Sequence, residues 1–277
     1  MEGAFVSPKN HKTKEKKTMK TKRLLAAVLV IALAFCACTI VLASKPQAPT
    51  ATVTIISEGR FVVKNLEVVV SGEDFNLDDA LKAAHDAAYE GGAGKGYASA
   101  TGEYGLYITK LWGDESGAFG YAVNNKMSGG LGDKVKAGDS VVAYIYTDKT
   151  NFSDRYTYFN VNHASAKAGE KLTLTLSSVG YDEKFNAVSS PLAGATITVD
   201  GEKTEYKTDA EGNVTLSLKG GKTYTVSAVA DSAIVPPLCV VTVAKSAPSA
   251  ALYIAIAVIL VCGVAAVIIV GAKKKNN

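Results

Sequence analysis

Few residues in this 277-residue chain have the type and spacing to do chemistry. His85 and His163 each stand alone, with no Cys or carboxylate partner at ligand spacing, so solvated or capping roles outweigh metal binding or acid–base work. Gly91-Gly92-Ala93-Gly94-Lys95-Gly96 has the glycine density of a phosphate cradle, because close glycines let backbone N–H groups approach an anion. It leaves a helix instead of entering one and ends in Lys95-Gly96, which points to a flexible loop. Cys239, between Leu238 and Val240, reads as a buried small hydrophobe, with a reactive or intermolecular thiol as the alternative. Asp209-Ala210-Glu211-Gly212 offers oxygens to calcium but lacks the alternating ligand ladder of a calcium loop. No nucleophile elbow, zinc-protease helix, or His paired with a motif-borne Ser or Cys is present, so an enzyme is the weakest functional class. What remains is aromatic. Tyr104, Tyr107, Trp112, Phe119 and Tyr121 lie near loops, where ring faces can pack on a flat ligand at low entropy cost. Alternation along half-buried strands would place the same rings in a core.

The elements that must position these rings divide into two stretches. In the first, residues 51–160, Thr52 to Ser57 and Phe61 to Val70 predict two strands about a turn at Gly59-Arg60. Asn76 predicts a helix cap, followed by Leu77, Ala80, Leu81, Ala84 and Ala88 at helical spacing, with Asp78 and Asp79 where the helix dipole favours them. Gly91-Gly92 closes that helix, and strands follow at Tyr104 to Trp112, Ala118 to Asn124 and Ser140 to Thr147. Two strands, a helix and three strands is the plan of a β-grasp fold. Tyr156, Tyr158, Phe159 and Val161 can still pack onto this half, and Ala164 to Gly169 reads as a hinge. The second stretch, residues 168–245, is all β. Leu172-Leu174-Leu176, Ala195-Ile197-Val199, Val214-Leu216-Leu218, Tyr224-Val226-Ala228 and Val240-Val241-Val243 alternate or run apolar between turns at Asp200-Gly201, Asp209 to Gly212 and Gly220-Gly221, as in a β-sandwich. The fold class expected is therefore an α+β, β-grasp-like domain followed by an all-β sandwich.

Two resemblances add to this. Asp79 to Ala84, Gly117-Ala118-Phe119-Gly120-Tyr121-Ala122-Val123-Asn124, and Gly132 to Asp139 with Val142, Tyr144 and Tyr146 resemble the transcobalamin-like C-terminal domain of bacterial surface proteins. The resemblance covers about Thr52 to Thr147 and implies a corrinoid as a possible bound ligand. The chain departs from the family pattern, with Phe119 where a Trp is usual and Asn125 where a Gly is usual. Pro191 to Val199, followed by Thr208-Asp209-Ala210-Glu211-Gly212-Asn213-Val214, resembles the prealbumin-like and bacterial immunoglobulin-like repeats of surface proteins, which specify architecture more than activity.

The two ends speak to location. Ala250 to Ala272 is an uncharged apolar run, and a helix needs about 20 such residues to cross a bilayer. Lys273, Lys274 and Lys275 follow it, so residues 250–272 read as a single membrane helix with a cytoplasmic stub at 273–277. Lysines before Leu24 to Ala43 give residues 1–43 the charge order of a signal peptide, cleaved after Ala43. An uncleaved anchor and a lipobox ending at Cys38 are the alternatives, and Met19 is a second candidate start. These basic ends account for the formal charge of +4 and leave the region between them net acidic, which excludes a nucleic-acid surface. The expected protein is a bacterial, single-pass membrane protein with its β modules extracellular, presenting a small-ligand module on a stalk. Its alternative is a structural or adhesive surface protein with protein or glycan partners.

Overall fold

The computed structural model describes residues 48–245, where three apolar clusters organise the chain. The expected signal peptide and membrane helix lie outside these residues. Within them, no helix is long and apolar enough to cross a membrane.

Strands β1 (Thr50–Ser57) and β2 (Arg60–Val69) form a hairpin. Its two turn residues, Glu58 and Gly59, both take positive φ, which matches the twist of the strands. Helix α1 (Leu77–Ala88) begins at Asn76 with a reciprocal cap: the Asp79 N–H donates to Asn76 Oδ1 at 3.0 Å and the Asn76 N–H donates to Asp79 Oδ2 at 3.2 Å. After it come the four-residue helix α2 (Ala93–Gly96), the hairpin β3 (Ala98–Gly102) and β4 (Gly105–Lys110), then β5 (Phe119–Val123), β6 (Lys126–Met127) and β7 (Ser140–Ile145). The main sheet has the order β2-β1-β7-β5-β6, with β1 and β7 parallel at its centre. One face packs against α1, burying Val53, Ile55, Val141 and Ala143 with Leu77, Ala80, Leu81 and Ala84. The period of two sends the alternate residues Ile56, Ala122 and Tyr144 to the other face.

The second half is a two-sheet sandwich. Its strands are β8 (Arg155–Phe159), β9 (His163–Lys167), β10 (Lys171–Tyr181), β11 (Ala187–Pro191), β12 (Thr196–Val199), β13 (Glu202–Lys207), β14 (Asn213–Ser217), β15 (Lys222–Val229), β16 (Ile234–Val235) and β17 (Cys239–Ala244). One sheet has the order β11-β10-β8-β16, with β14 also paired to β10; the other has the order β13-β12-β15-β17-β9. Leu174, Leu176, Val214 and Leu216 of the first sheet meet Ile197, Val226, Val241 and Val243 of the second in one core.

Three expectations change. Residues 164–169, expected as a hinge, are largely β9, which pairs in parallel with β17 from Val240↔His163 to Ala244↔Lys167. Of the stretch near residue 156, Tyr156 and Tyr158 pack onto the first half as expected, but Phe159 enters the sandwich core and the strand itself, β8, pairs with β10 and β16 of the sandwich. The glycine-rich loop is not open chain: Ala93–Gly96 closes into α2, and the Ala93 N–H donates to Asp86 Oδ1 at 2.8 Å.

Candidate functional site

The five aromatics singled out from the sequence fall in different settings. Tyr104 and Tyr107, on the β3–β4 hairpin, are 95% and 49% exposed. Phe119 and Tyr121 share one face of β5 and pack, half-buried, against the helix-side core, as does Trp112. Burial, with the Asp133 carboxylate nearby, raises the Tyr121 hydroxyl above its usual value.

Trp112 is held by a group that sequence reasoning set aside. His85 is fully buried on α1. Its Nδ1 lies 2.7 Å from the Leu81 carbonyl oxygen, and its Nε2 accepts the Trp112 backbone N–H at 3.1 Å. Nδ1 therefore carries the proton, and both ring nitrogens are committed to backbone. Trp112 takes φ +51° at that contact. Tyr97 and Trp112 flank the imidazole at centroid distances of 5.0 and 5.3 Å, and burial pushes the His85 pKa down. This is a neutral core histidine, unsuited to proton transfer with a ligand. Next to it, burial alone would raise the Asp78 carboxyl, but hydrogen bonds from Lys82 at 2.5 Å and from the Tyr97 hydroxyl at 2.7 Å hold it below the usual range.

The remaining candidates for chemistry are also committed. Cys239 is fully buried in the sandwich core, which pushes its thiol up to about 12. Asp209 Oδ1 turns inward to accept the N–H groups of Glu211 at 3.1 Å and Asn213 at 2.7 Å. Among the described residues, no group of three His, Cys, Asp or Glu side chains is placed to hold a metal ion.

The halves meet at a junction that the sequence signals only through the expected packing of Tyr156 and Tyr158 onto the first half. Ile56, Ala122 and Tyr144 from the first sheet meet Tyr156, Val179 and Val235 from the sandwich in a third cluster. Tyr144 and Tyr156 stack 5.8 Å apart at 11°, and Tyr156 and Tyr158 continue the stack at 6.0 Å. The Tyr144 and Tyr146 hydroxyls are 3.3 Å apart, and the Tyr156 hydroxyl donates to Asn125 Oδ1 at 3.3 Å. Burial raises both Tyr144 and Tyr156 above the usual phenol range, so both stay neutral. The connection from β7 to β8 is likewise tied, since Thr147 donates through its N–H and, at 2.7 Å, its hydroxyl to the Asp154 carboxylate. Beside this junction lies a groove of about 540 Å³ between the β1–β2 hairpin and the outer face of β12 and β15. None of the five aromatics lines it.

No family model matches the chain, and no curated protein does. The resemblances to transcobalamin-like and prealbumin-like domains gain no support from those comparisons. Among solved structures, the chain is similar to the N-terminal four Ig domains of Dscam1 isoform 4.44, at 8% identity over 72% of this chain and 45% of that one, with a TM-score of 0.21. It is also similar to the N-terminal Ig1-2 module of the Drosophila receptor protein tyrosine phosphatase DLAR, at 9% identity over 73% of this chain and 97% of that one, with a TM-score of 0.23. The chain spans less than half of the Dscam1 structure it matches. Scores of this size define no family and no shared topology.

Proposed function

We propose that this chain is a non-enzymatic, membrane-held surface protein in which a β-grasp-like module and an immunoglobulin- or prealbumin-like sandwich work as one adhesive or structural unit. The observation that carries this reading is the junction cluster. A module built to close over a ligand needs a free face or a mobile neighbour, whereas here the sheet face opposite α1 is packed against the sandwich through Tyr144, Tyr156 and Val235. The capture of a corrinoid would need the five aromatics to converge, and Tyr104 and Tyr107 stand apart in solvent. Extracellular placement follows from the charge order of the two ends and from the membrane run at 250–272.

The test has two arms. Protease added to intact cells should remove the β modules and leave a short membrane-protected remnant; survival of the modules would overturn the surface assignment. Titrating the detergent-solubilised full chain with a corrinoid should change neither the visible absorbance nor the melting temperature. A ligand at 100 times its Kd stabilises by about 2.7 kcal/mol, so a saturable shift of that size would restore the capture reading.

A further inference from the structure

We infer that the groove beside the junction is a binding site for a short acidic saccharide, a sugar chain carrying a carboxylate. The inference rests on the surface-protein reading and names a partner class for it. Its floor is the outer face of two strands. Ile197, Val226 and Ala228 point into the sandwich core, so alternation turns Thr198, Thr225 and Ser227 outward into the groove. Thr198 and Ser227 sit opposite each other on neighbouring strands and are only 6% and 7% exposed, because the β1–β2 hairpin and the stretch before β16 lean over them. Neither hydroxyl has a hydrogen-bond partner among the described residues. Each can donate once and accept twice, so the pair is a short polar comb that opens only into the groove.

Charge and shape narrow the occupant. Arg60 and Lys64 line one wall. The Arg60 side chain makes no hydrogen bond or ion pair among the described residues, whereas the Lys64 ammonium reaches the Thr225 hydroxyl at 3.5 Å, lies 6.0 Å from the Phe61 ring centroid, and adds to Lys222 in holding the Asp200 carboxyl below its usual value. The groove's carboxylate, Asp200, is already engaged by Lys222 at 2.8 Å and by the Thr225 N–H at 2.9 Å. The site therefore offers one uncommitted positive charge, on Arg60, and no uncommitted negative one. Phe61 adds a half-buried ring against which the apolar face of a sugar can lie. A peptide taken up by strand addition fits poorly. Both floor strands are interior to their sheet, with β13 and β17 on their outer sides, so their backbone groups are already spent in the ladder. The hairpin strand β2 is an edge, but its ladder is broken at Asn65, which takes φ +42° and whose N–H is held by Thr54 Oγ1. A volume of about 540 Å³ falls within the usual span of small-ligand sites, about 300–1,000 Å³.

The test uses the full chain in detergent, with a glucuronate-containing tetrasaccharide, a sialylated trisaccharide, their uncharged counterparts and tetraglutamate as probes. One or both acidic saccharides should bind saturably. Arg60→Ala, at an exposed position, should weaken that binding about tenfold, the loss expected for one charge-assisted hydrogen bond. The pair Thr198→Val and Ser227→Ala should weaken it by a similar factor without lowering the melting temperature, since these hydroxyls hold nothing in the free protein; a merely structural role would lower it. No binding of either acidic saccharide, equal binding of the uncharged counterparts or of tetraglutamate, or binding unaffected by Arg60→Ala would overturn the assignment. A chain exposed on cells that binds no saccharide fails this inference alone, and one that binds saccharide yet resists protease on intact cells fails the surface reading alone.

Discussion

The two halves of the molecule close their cores in different ways. The sandwich faces one sheet with another, so each sheet supplies the other's cover and the core from Leu174 to Val243 is complete within that half. The first half has one five-stranded sheet, the small β3–β4 hairpin and one long helix. That helix covers a single face, and the other, with Ile56, Ala122 and Tyr144, is covered by β8, β10 and β16. A helix of twelve residues cannot shield both sides of a five-stranded sheet. The first half is thus the dependent partner, and the junction is part of its fold as much as a contact between modules.

Breaking the junction should give the largest effects. Tyr144 is almost fully buried, and Tyr144→Ala should cost about 3–5 kcal/mol in denaturant unfolding, the range for removing a large buried ring. It should also separate the melting of the first half from that of the sandwich. Filling the same place is the next test. A Cβ at Gly120 would lie 2.2 Å from Tyr144 Cζ and 2.3 Å from its hydroxyl oxygen, so Gly120→Ala should cost about 1–3 kcal/mol by overpacking, and pairing it with Tyr144→Ala should recover part of that loss. A change confined to the dependent half sharpens the contrast. Asn76→Ala removes one side of the reciprocal cap and should cost about 1 kcal/mol, read as faster amide exchange in α1 with β12 and β15 unchanged.

The smallest expected effect is a pH dependence. Burial lowers the His85 pKa in the folded state, so the unfolded chain takes up a proton first as the medium is acidified. The stability this group contributes is complete above its ordinary value of 6.5 and is lost as the pH falls below it, until the folded-state value is reached. Urea midpoints between pH 8 and 5 should fall accordingly, and His85→Gln should flatten that segment of the curve.

Local signals made much of this legible in the sequence. Asn76 with Asp79, and the spacing of Leu77, Ala80, Leu81 and Ala84, announced α1, because caps and helical periodicity are written within a dozen residues. Asp200-Gly201 marked a two-residue turn, and both residues take positive φ. The strand β9 stayed hidden because Ala164-Ser165-Ala166 lacks bulky β formers; pairing with β17 makes it a strand. The Gly91 to Gly96 stretch read as open chain because its order comes from Asp86, on the preceding helix. For the same reason the groove, and all of the junction beyond the expected packing of Tyr156 and Tyr158, could not be read along the chain. Tyr144 and Tyr156, or Lys64 and Thr225, become neighbours only when both halves are folded.

The union of the two halves is tested most directly by calorimetry of the full chain. A single transition over residues 48–245, with equal calorimetric and van't Hoff enthalpies, is the result expected if the tyrosine junction couples the halves. Two transitions in the unaltered protein, with that of the sandwich unmoved by Tyr144→Ala, would contradict it.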